Sequence, residues 1–503
     1  MNAHALSGTA FALSPSKTLM FAGDTAGMRR VKIVATVGPA SRARSTLAAL
    51  IEAGVDVVRV NMSHGTYEEH AEVIARVREL SEHFQKAVAV LMDLAGPKLR
   101  IGDLKEGQPV ELRTGARLRI VAEEVIGDAT RLSTNYPALI EEASVGDRLL
   151  LDDGALELVV EEKEAGALIC RVVHGGWLGP HKGLHLPGVT LSLSALTEKD
   201  RRDLRFGIEQ GVDYIGLSFV RSAADCQLAR RLIEEAGARI PVIAKIEKAE
   251  AVHRLDEILQ AADGLMVARG DLGVETAVER VPVLQKEIIA RANRAGKVVI
   301  TATQMLQSMI ENPHPTRAEA SDVANAVLDG TDAVMLSGET AVGRFPVEAV
   351  RTMDRIIRAA EASPLSRSRL KEAVSDRPSG SYGRAIAEAA AFAAEEVKAR
   401  LIVVFTEGGN MPRHLASLRP PQRVIALTPS PTTYRQLAAV WGVEPRLFPF
   451  PSRSDDLLAQ CDRLLLDEGL ARPGEVIVLM AGTLRGLGLS DMIKLHRVGE
   501  PLP

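Results

Sequence analysis

Polar residues able to share a reaction recur at one kind of place in this sequence, directly after short apolar runs. Arg59, Asn61 and Ser63 follow "VDVV", Asp93 closes "AVAVLMD", and Ser218 closes "VDYIGLS". Lys245 and Glu247 end "IPVIAKIE", and Arg269, Gly270 and Asp271 end "ADGLMVARGD". Thr303 ends "KVVITAT", and Ser337 with Glu339 ends "DAVMLSGE". Glu247 and Asp271 are hard oxygen donors, and two carboxylates completed by substrate oxygens are a usual way to hold Mg²⁺. Lys245 lies two positions before Glu247, so both side chains leave one face of an extended strand end. A cation beside a divalent metal, with Arg59 opposite, suits a phosphoryl group whose charge must be stabilised during transfer. "ARGDLG" can open a short helix whose free N–H groups accept a carboxylate or phosphate. Any one pair could be an ion pair closing the mouth of a fold. The coincidence over seven runs points to a site.

The elements that position these residues are legible from the apolar runs. Eight recur: "VKIVATV" (31–37), "VDVVRVN" (55–61), "AVAVLMD" (87–93), "VDYIGLSF" (212–219), "IPVIAKI" (240–246), "ADGLMVA" (262–268), "KVVITAT" (297–303) and "DAVMLS" (332–337). Most are near-continuous rather than alternating, as in strands buried on both faces. Helix-patterned stretches such as "EEHAEVIARVRELSEH" and "VPVLQKEIIARANRAG" separate them. Eight such units predict a (β/α)₈ barrel spanning 29–97 and 189–358, whose chemistry sits at the C-terminal ends of its strands. Residues 98–188 break the rhythm with short alternating strands, "ARLRIVAEE", "DRLLLDDGALELVVEEK" and "ALICRVVHGG", and predict a small β lid inserted into one barrel loop. A third, α/β domain is expected over 359–503, with strands near "RLIVVFT", "RVIALTP" and "EVIVLMAG", after a linker-like "SPLSRSRLKEAVSDRPSGSYG".

Composition excludes several classes. The formal net charge of −4 over 503 residues argues against an electrostatic nucleic-acid binder. Cys170, Cys226 and Cys461 have neither disulfide-framework nor zinc spacing, and His64, His181 and His185 have no metal-ligand spacing. No apolar run is long enough to cross a membrane. The cytoplasm is the expected compartment. Residues 1–28 lack the pattern of a signal peptide and are expected to be an extension, or sequence upstream of a true start at Met28.

Five segments, "VVRVNMSHG", "AKIEKAE", "MVARGDLGVE", "ATQMLQSM" and "DAVMLSGETA", resemble the pyruvate kinase family in order and separation. The resemblance runs from about Arg30 to the C-terminus and is densest in the barrel. It implies transfer of phosphate between phosphoenolpyruvate and ADP, giving pyruvate and ATP, in a homotetramer whose C-terminal domain is regulatory. It implies that Glu247 and Asp271 hold Mg²⁺ (with Mn²⁺ able to substitute), and that Lys245 and Arg59 stabilise and bind the phosphoryl group. Thr303, with the Gly270 and Asp271 backbone, corresponds to the substrate-carboxylate pocket. Thr303 with a water relay, reaching Ser337, is the candidate for protonating the enolate. Asn61, Ser63, His64, Arg100 and Lys182 match nucleotide positions, and Lys182 sits in the lid. Two other readings stay open: a Mg²⁺-dependent barrel enzyme acting on oxaloacetate or a related keto acid, and a non-catalytic regulatory relative. The first has no evident use for Lys182, and the second predicts loss of Lys245, Glu247 or Asp271, all of which are present.

The chain departs from the family pattern in informative places. Many members read Asp-Thr-Lys-Gly-Pro-Glu where this chain reads "DLAGPK", and need K⁺ held near Asn61, Ser63, Asp93 and the next residue. Here Lys98 stands for the glutamate and brings a positive charge covalently, on a flexible stem. The expectation is that Lys98 pairs with Asp93 as an internal substitute for K⁺, which is then not required, while Arg100 faces the nucleotide. In "FTEGGNMPRHLASLRP" Thr406 is kept, but Gly408 and Met411 stand where effector-phosphate loops of relatives carry hydroxyls. A small phosphorylated effector is therefore expected without its identity, and "AGTLRGLGLSDMIKLHRVG" is also atypical.

Overall fold

Near-continuous apolar runs become strands wrapped by helices. β1 (Lys32–Thr36), β2 (Val57–Asn61) and β3 (Ala89–Asp93) are parallel neighbours. In this computed structural model, which describes residues 29–189, 191–366, 382–450, 454–482 and 492–500, the chain then leaves for an all-β insertion. Its strands are β4 (Val110–Leu112), β5 (Arg117–Val121), β6 (Arg131–Ser133), β7 (Arg148–Leu151), β8 (Leu156–Glu164), β9 (Ala167–His174), β10 (Gly176–Leu178) and β11 (Leu184–His185). Six form one sheet, β11-β7-β8-β9-β5-β6, and β10 pairs with β4. β12 (Tyr214–Leu217), β13 (Val242–Ile246), β14 (Gly264–Ala268), β15 (Val298–Ala302) and β16 (Ala333–Leu336) complete the closed barrel. Closure places Lys32 opposite Ala333, and Gly216 opposite Asp93 across the insertion.

Both faces of these strands are buried, which explains the unbroken apolar runs. Ile33, Val58, Val90 and Val267 face the helices, while Val34, Val57, Leu91, Met266 and Ile300 fill the barrel interior. Each such side chain contributes about 1.5–3 kcal/mol by burial. Capping boxes start several of the helices, among them Thr66 with Glu69 before Tyr67–His83, Thr197 with Asp200 before Glu198–Glu209, and Thr316 with Glu319 before Arg317–Leu328.

The "AGPK" turn joins β3 to the inserted β domain. Gly96 has φ +67°, and a Cβ there would lie 2.8 Å from the Phe219 ring and 2.9 Å from Ser218 Cβ. Only glycine meets both demands. Beyond it the outgoing and returning strands pair: Ile101 N–H donates to the Lys182 carbonyl and Leu184 N–H to that of Leu99, both at 3.0 Å. Leu118, Ile120, Leu149, Leu158 and Leu168 give the lid its own core.

The C-terminal sheet has five strands rather than three. β17 (Leu401–Phe405), β18 (Arg423–Thr428), β19 (Val443–Leu447), β20 (Val476–Ala481) and β21 (Met492–Arg497) run in the order β19-β18-β17-β20-β21, the last antiparallel. The two unexpected strands are edges, where one side carries no neighbour and polar residues and proline are tolerated. This domain packs under the N-terminal end of the barrel. Lys32 Nζ donates to the Val443 carbonyl at 2.8 Å, and Arg435 meets buried Asp213 at 2.8 Å. Arg419 meets Asp332 at 2.7 Å, with its guanidinium 4.7 Å from the Trp441 ring centre. The N-terminal 28 residues, most of the linker-like segment and positions 483–491 of the late loop lie outside the described residues.

Candidate active site

The strand-end residues converge at the C-terminal mouth of the barrel. Arg59 on β2 donates through Nε and Nη2 to Asp93 Oδ2 at 2.7 and 2.6 Å, and through Nη1 to Thr36 Oγ1 at 3.0 Å. From β13, Lys245 Nζ reaches Ser218 Oγ at 2.7 Å, Glu247 Oε1 at 2.9 Å and Asp93 Oδ1 at 3.3 Å. Glu247 Oε2 accepts the Phe219 N–H at 2.7 Å. Asp93 and Glu247 are each 1% exposed. One lysine thus joins three strand ends in a nearly dry pocket, where charge interactions are strong.

The electrostatics follow from that burial. Burial opposes the Lys245 charge, but the carboxylates of Asp93 and Glu247 outweigh it and hold the ammonium above its ordinary range. Asp93 is pushed up by burial and pulled further down by Lys245 and Arg59, so it stays ionised. Glu247 is held above the usual carboxylate range by burial, opposed by Lys245 and reinforced by the nearby charge of Asp271. Two carboxylates that repel each other fit a hard divalent cation completed by substrate oxygens. Among the described residues no group of three or more His, Cys, Asp or Glu forms a metal cage, so any cation here draws on other oxygens.

The opposite wall is set by backbone. Arg269–Glu275 is a short helix, as the "ARGDLG" pattern predicts, and presents Asp271 in its first turn. Thr303 has φ +69° and Gln304 φ +54°. A β-branched residue is rarely found in that region, and such strain concentrates at functional sites. Thr303 Oγ1 accepts the Gly270 N–H at 2.8 Å and donates to the Ala302 carbonyl at 2.7 Å, bringing together the three parts of the expected carboxylate pocket. Ser337 caps the following turn, its N–H donating to buried Glu339 at 2.7 Å, and Glu339 also accepts the Leu306 N–H at 3.0 Å. Glu339 is thereby a loop brace rather than a group open to substrate.

The residues expected on the nucleotide side fall into two sets. Asn61, Ser63 and His64 share one barrel loop, where Asn61 Oδ1 accepts the Ser63 N–H at 3.2 Å and the His64 carbonyl meets His70 Nε2 at 2.8 Å. Arg100 and Lys182 share the lid: Arg100 donates to the His181 carbonyl at 2.8 Å, and Lys182 pairs with Asp152 at 2.7 Å.

Lys98 is not where the sequence reading put it. Both Asp93 oxygens are taken by Arg59, Lys245 and Ser218, and the Lys98 stem lies instead against the lid, 3.5 Å from where a Gly183 Cβ would sit. The physical reason is the "AGPK" turn. It makes residue 98 the start of the segment that leads away from β3 into the inserted domain, while Lys245 and Arg59 reach Asp93 from adjoining walls. Sequence reasoning also missed Thr36, which orients Arg59. It placed Arg269 among the strand-end residues but gave it no role; the guanidinium binds the Thr303 carbonyl at 2.6 Å and Asp322 at 2.7 Å. The only signal for Arg269 was its place beside Gly270 and Asp271.

A parallel eight-stranded barrel with an inserted β domain, a C-terminal α/β domain and a cation-and-carboxylate pocket at the strand ends defines a class of multidomain barrel enzyme. Known proteins narrow it. Residues 28–350 match the family model "Pyruvate kinase, barrel domain" and residues 384–496 match "Pyruvate kinase, alpha/beta domain". A pyruvate kinase of Mycobacterium intracellulare is 47% identical over 479 residues, covering 94% of this chain and 99% of that protein. One of Geobacillus stearothermophilus is 45% identical over 478 residues, covering 94% and 81%. A crystal structure of a pyruvate kinase from Cryptosporidium parvum superposes with a TM-score of 0.88 at 37% identity, covering 93% of this chain and 96% of that one. The chain belongs to the pyruvate kinase family.

Proposed function

We propose that this chain transfers the phosphoryl group of phosphoenolpyruvate to ADP, yielding pyruvate and ATP. The observation that carries the reading is Lys245, buried among Asp93, Glu247 and Ser218 at the strand ends and held cationic by its two carboxylates. A fixed cation in a low-dielectric pocket stabilises charge on a transferring phosphoryl group without reorganising at the moment of reaction. Arg59, locked by Asp93 and Thr36, offers a second cation to the same group. Glu247 and Asp271 would hold Mg²⁺, which supplies Lewis-acid stabilisation of phosphoryl and enolate oxygens. Thr303 with the Gly270 and Asp271 backbone orients the substrate carboxylate, and Thr303 Oγ, through a water relay reaching Ser337, delivers the proton to the enolate carbon. Asn61, Ser63 and His64 receive the nucleotide from the barrel side. Arg100 and Lys182 approach it from the lid, so closure brings their charge to the phosphates and excludes water.

K⁺ is not required on this reading. Asp93, the carboxylate that would anchor a monovalent ion, is already compensated by Arg59 and Lys245. Lys98 adds its own charge at the hinge, within reach of the site as the lid moves. Assembly as a homotetramer rests on family membership. A small phosphorylated effector is supported by the loop at Thr406, whose Oγ1 accepts the Gly409 N–H at 2.9 Å ahead of the helix Asn410–Ser417.

The test is pyruvate formation from phosphoenolpyruvate, with ADP and Mg²⁺ omitted in turn. Dependence on all three supports the reading. Turnover of a keto acid without nucleotide, and none of phosphoenolpyruvate, would replace it with the alternative barrel chemistry. An activation screen over sugar phosphates and AMP at sub-saturating phosphoenolpyruvate would identify an effector.

A further inference from the structure

The pocket wall formed by Thr303 and Gly270 is strained, and its own hydrogen bond to Gly270 does not explain why it stays in place. Arg269 does. The guanidinium carries five N–H donors, and all point at partners. Nε donates to the Ala302 carbonyl at 3.2 Å. Nη2 donates to the Thr303 carbonyl at 2.6 Å and to Met305 Sδ at 2.7 Å. Nη1 donates to Gln285 Oε1 at 3.2 Å and to both Asp322 oxygens at 2.7 Å. Arg269 opens the helix that carries Asp271, so one side chain ties that helix to the last residue of β15 and to two residues of the loop after it.

We infer that Arg269 and Asp322 are positioning residues for the reaction, with Asp322 aiming the guanidinium and the guanidinium fixing Thr303 in its left-handed conformation. The inference rests on the reading of Thr303 and Gly270 as the substrate-carboxylate wall. Neither residue touches the reacting atoms in this account. Asp322 lies on Arg317–Leu328, a helix outside the barrel, and its side chain is 36% exposed against 10% for Arg269. Anchoring a pocket wall from the protein's periphery works because the fork of the guanidinium is planar and rigid. An ammonium at position 269 has three donors on a flexible stem and cannot reproduce two carbonyls and a carboxylate at once. Without the strut, Thr303 is free to relax toward negative φ, carrying Oγ1 away from the Gly270 N–H.

The experiment compares wild type with Asp322→Asn, Asp322→Glu and Arg269→Lys, measuring kcat and KM separately for phosphoenolpyruvate and ADP, with thermal unfolding alongside. A misplacement of about 1 Å costs on the order of 10²-fold in rate. Arg269→Lys is expected to lose roughly that much, and Asp322→Asn about tenfold, in kcat and in kcat/KM for phosphoenolpyruvate. KM for ADP should stay within about twofold, because the nucleotide residues lie on other loops, and Asp322→Glu should recover part of the rate. Wild-type kinetics in Asp322→Asn, or equal losses toward both substrates that track a lowered unfolding temperature, would overturn the inference. A wild-type protein inactive on phosphoenolpyruvate would instead overturn the function on which it rests.

Discussion

Replacing Lys245 with methionine removes the pivot of the site while keeping its volume. The ammonium makes contacts of 2.7, 2.9 and 3.3 Å to Ser218, Glu247 and Asp93, all of which are lost together. Asp93 retains Arg59, but Glu247 keeps only the Phe219 N–H and the repulsion of Asp271. Removing a phosphoryl-clamping cation costs about 10³-fold or more in kcat, which is about 4 kcal/mol of transition-state stabilisation. The stability cost should be smaller, near the lower end of the roughly 3–5 kcal/mol seen when a buried pair is broken, since Glu247 can take up a proton instead. The sign of the pH effect follows from Asp93. Its folded pKa is depressed, so its stabilisation is present above the unfolded carboxylate range and is lost as pH falls through the folded value. With Lys245 gone part of that depression goes, and acid unfolding should begin at higher pH. Initial rates of pyruvate formation against phosphoenolpyruvate, with urea unfolding at several pH values, measure both. A variant with unchanged kcat and only a raised KM for phosphoenolpyruvate would refute the reasoning.

Glu247→Gln and Asp271→Asn should each raise half-saturating Mg²⁺ in rate titrations, and unchanged values in both would place the ligands elsewhere. Activity without K⁺, in tetramethylammonium salts at matched ionic strength, should be nearly full. Stimulation by K⁺ above about tenfold, some 1.4 kcal/mol, would sink that idea. Lys98→Glu should lower activity and let K⁺ restore part of it. Arg419→Met leaves buried Asp332 without its cation and should destabilise the protein by about 3–5 kcal/mol in urea unfolding; a change under about 0.5 kcal/mol would show the strut to be idle.

The barrel was legible because strands buried on both faces write themselves as unbroken apolar runs, and its chemistry because polar residues recur directly after seven of those runs. β19 and β21 were not, since "VEPRL" and "MIKLHR" mix charges and proline as edge strands can. β4 and β10, at three residues each, are too short to show a period. Within the site, residue types were readable but partnerships across the sheet were not. Asp93 and Lys98 are near in sequence and obey opposite-charge logic, yet the nearer cations in space are Arg59 and Lys245, on neighbouring walls of a barrel that must close before they meet. The partners of Arg269 were hidden for the same reason, lying at the end of β15, in the loop after it and on an outer helix.

That closure has a consequence for how the protein is made. β1 finds its second neighbour only when residue 333 exists to face residue 32, and β3 must wait for β12 across the whole lid. At the roughly 5–20 residues per second of synthesis, the ribosome takes on the order of 15–60 seconds to emit the intervening chain. Until β12 emerges the nascent β1–β2–β3 ribbon presents two apolar, unpaired edges, and the β1 edge stays open for the rest of that interval, the kind of surface that recruits the wrong strand. The lid, with a hydrophobic core of its own, can collapse as it emerges and shorten the span that β12 must bridge, a loop-closure gain that grows slowly with length. The newborn barrel is thus an open sheet awaiting its last staves, and it is there, before any chemistry, that chaperones have most to protect.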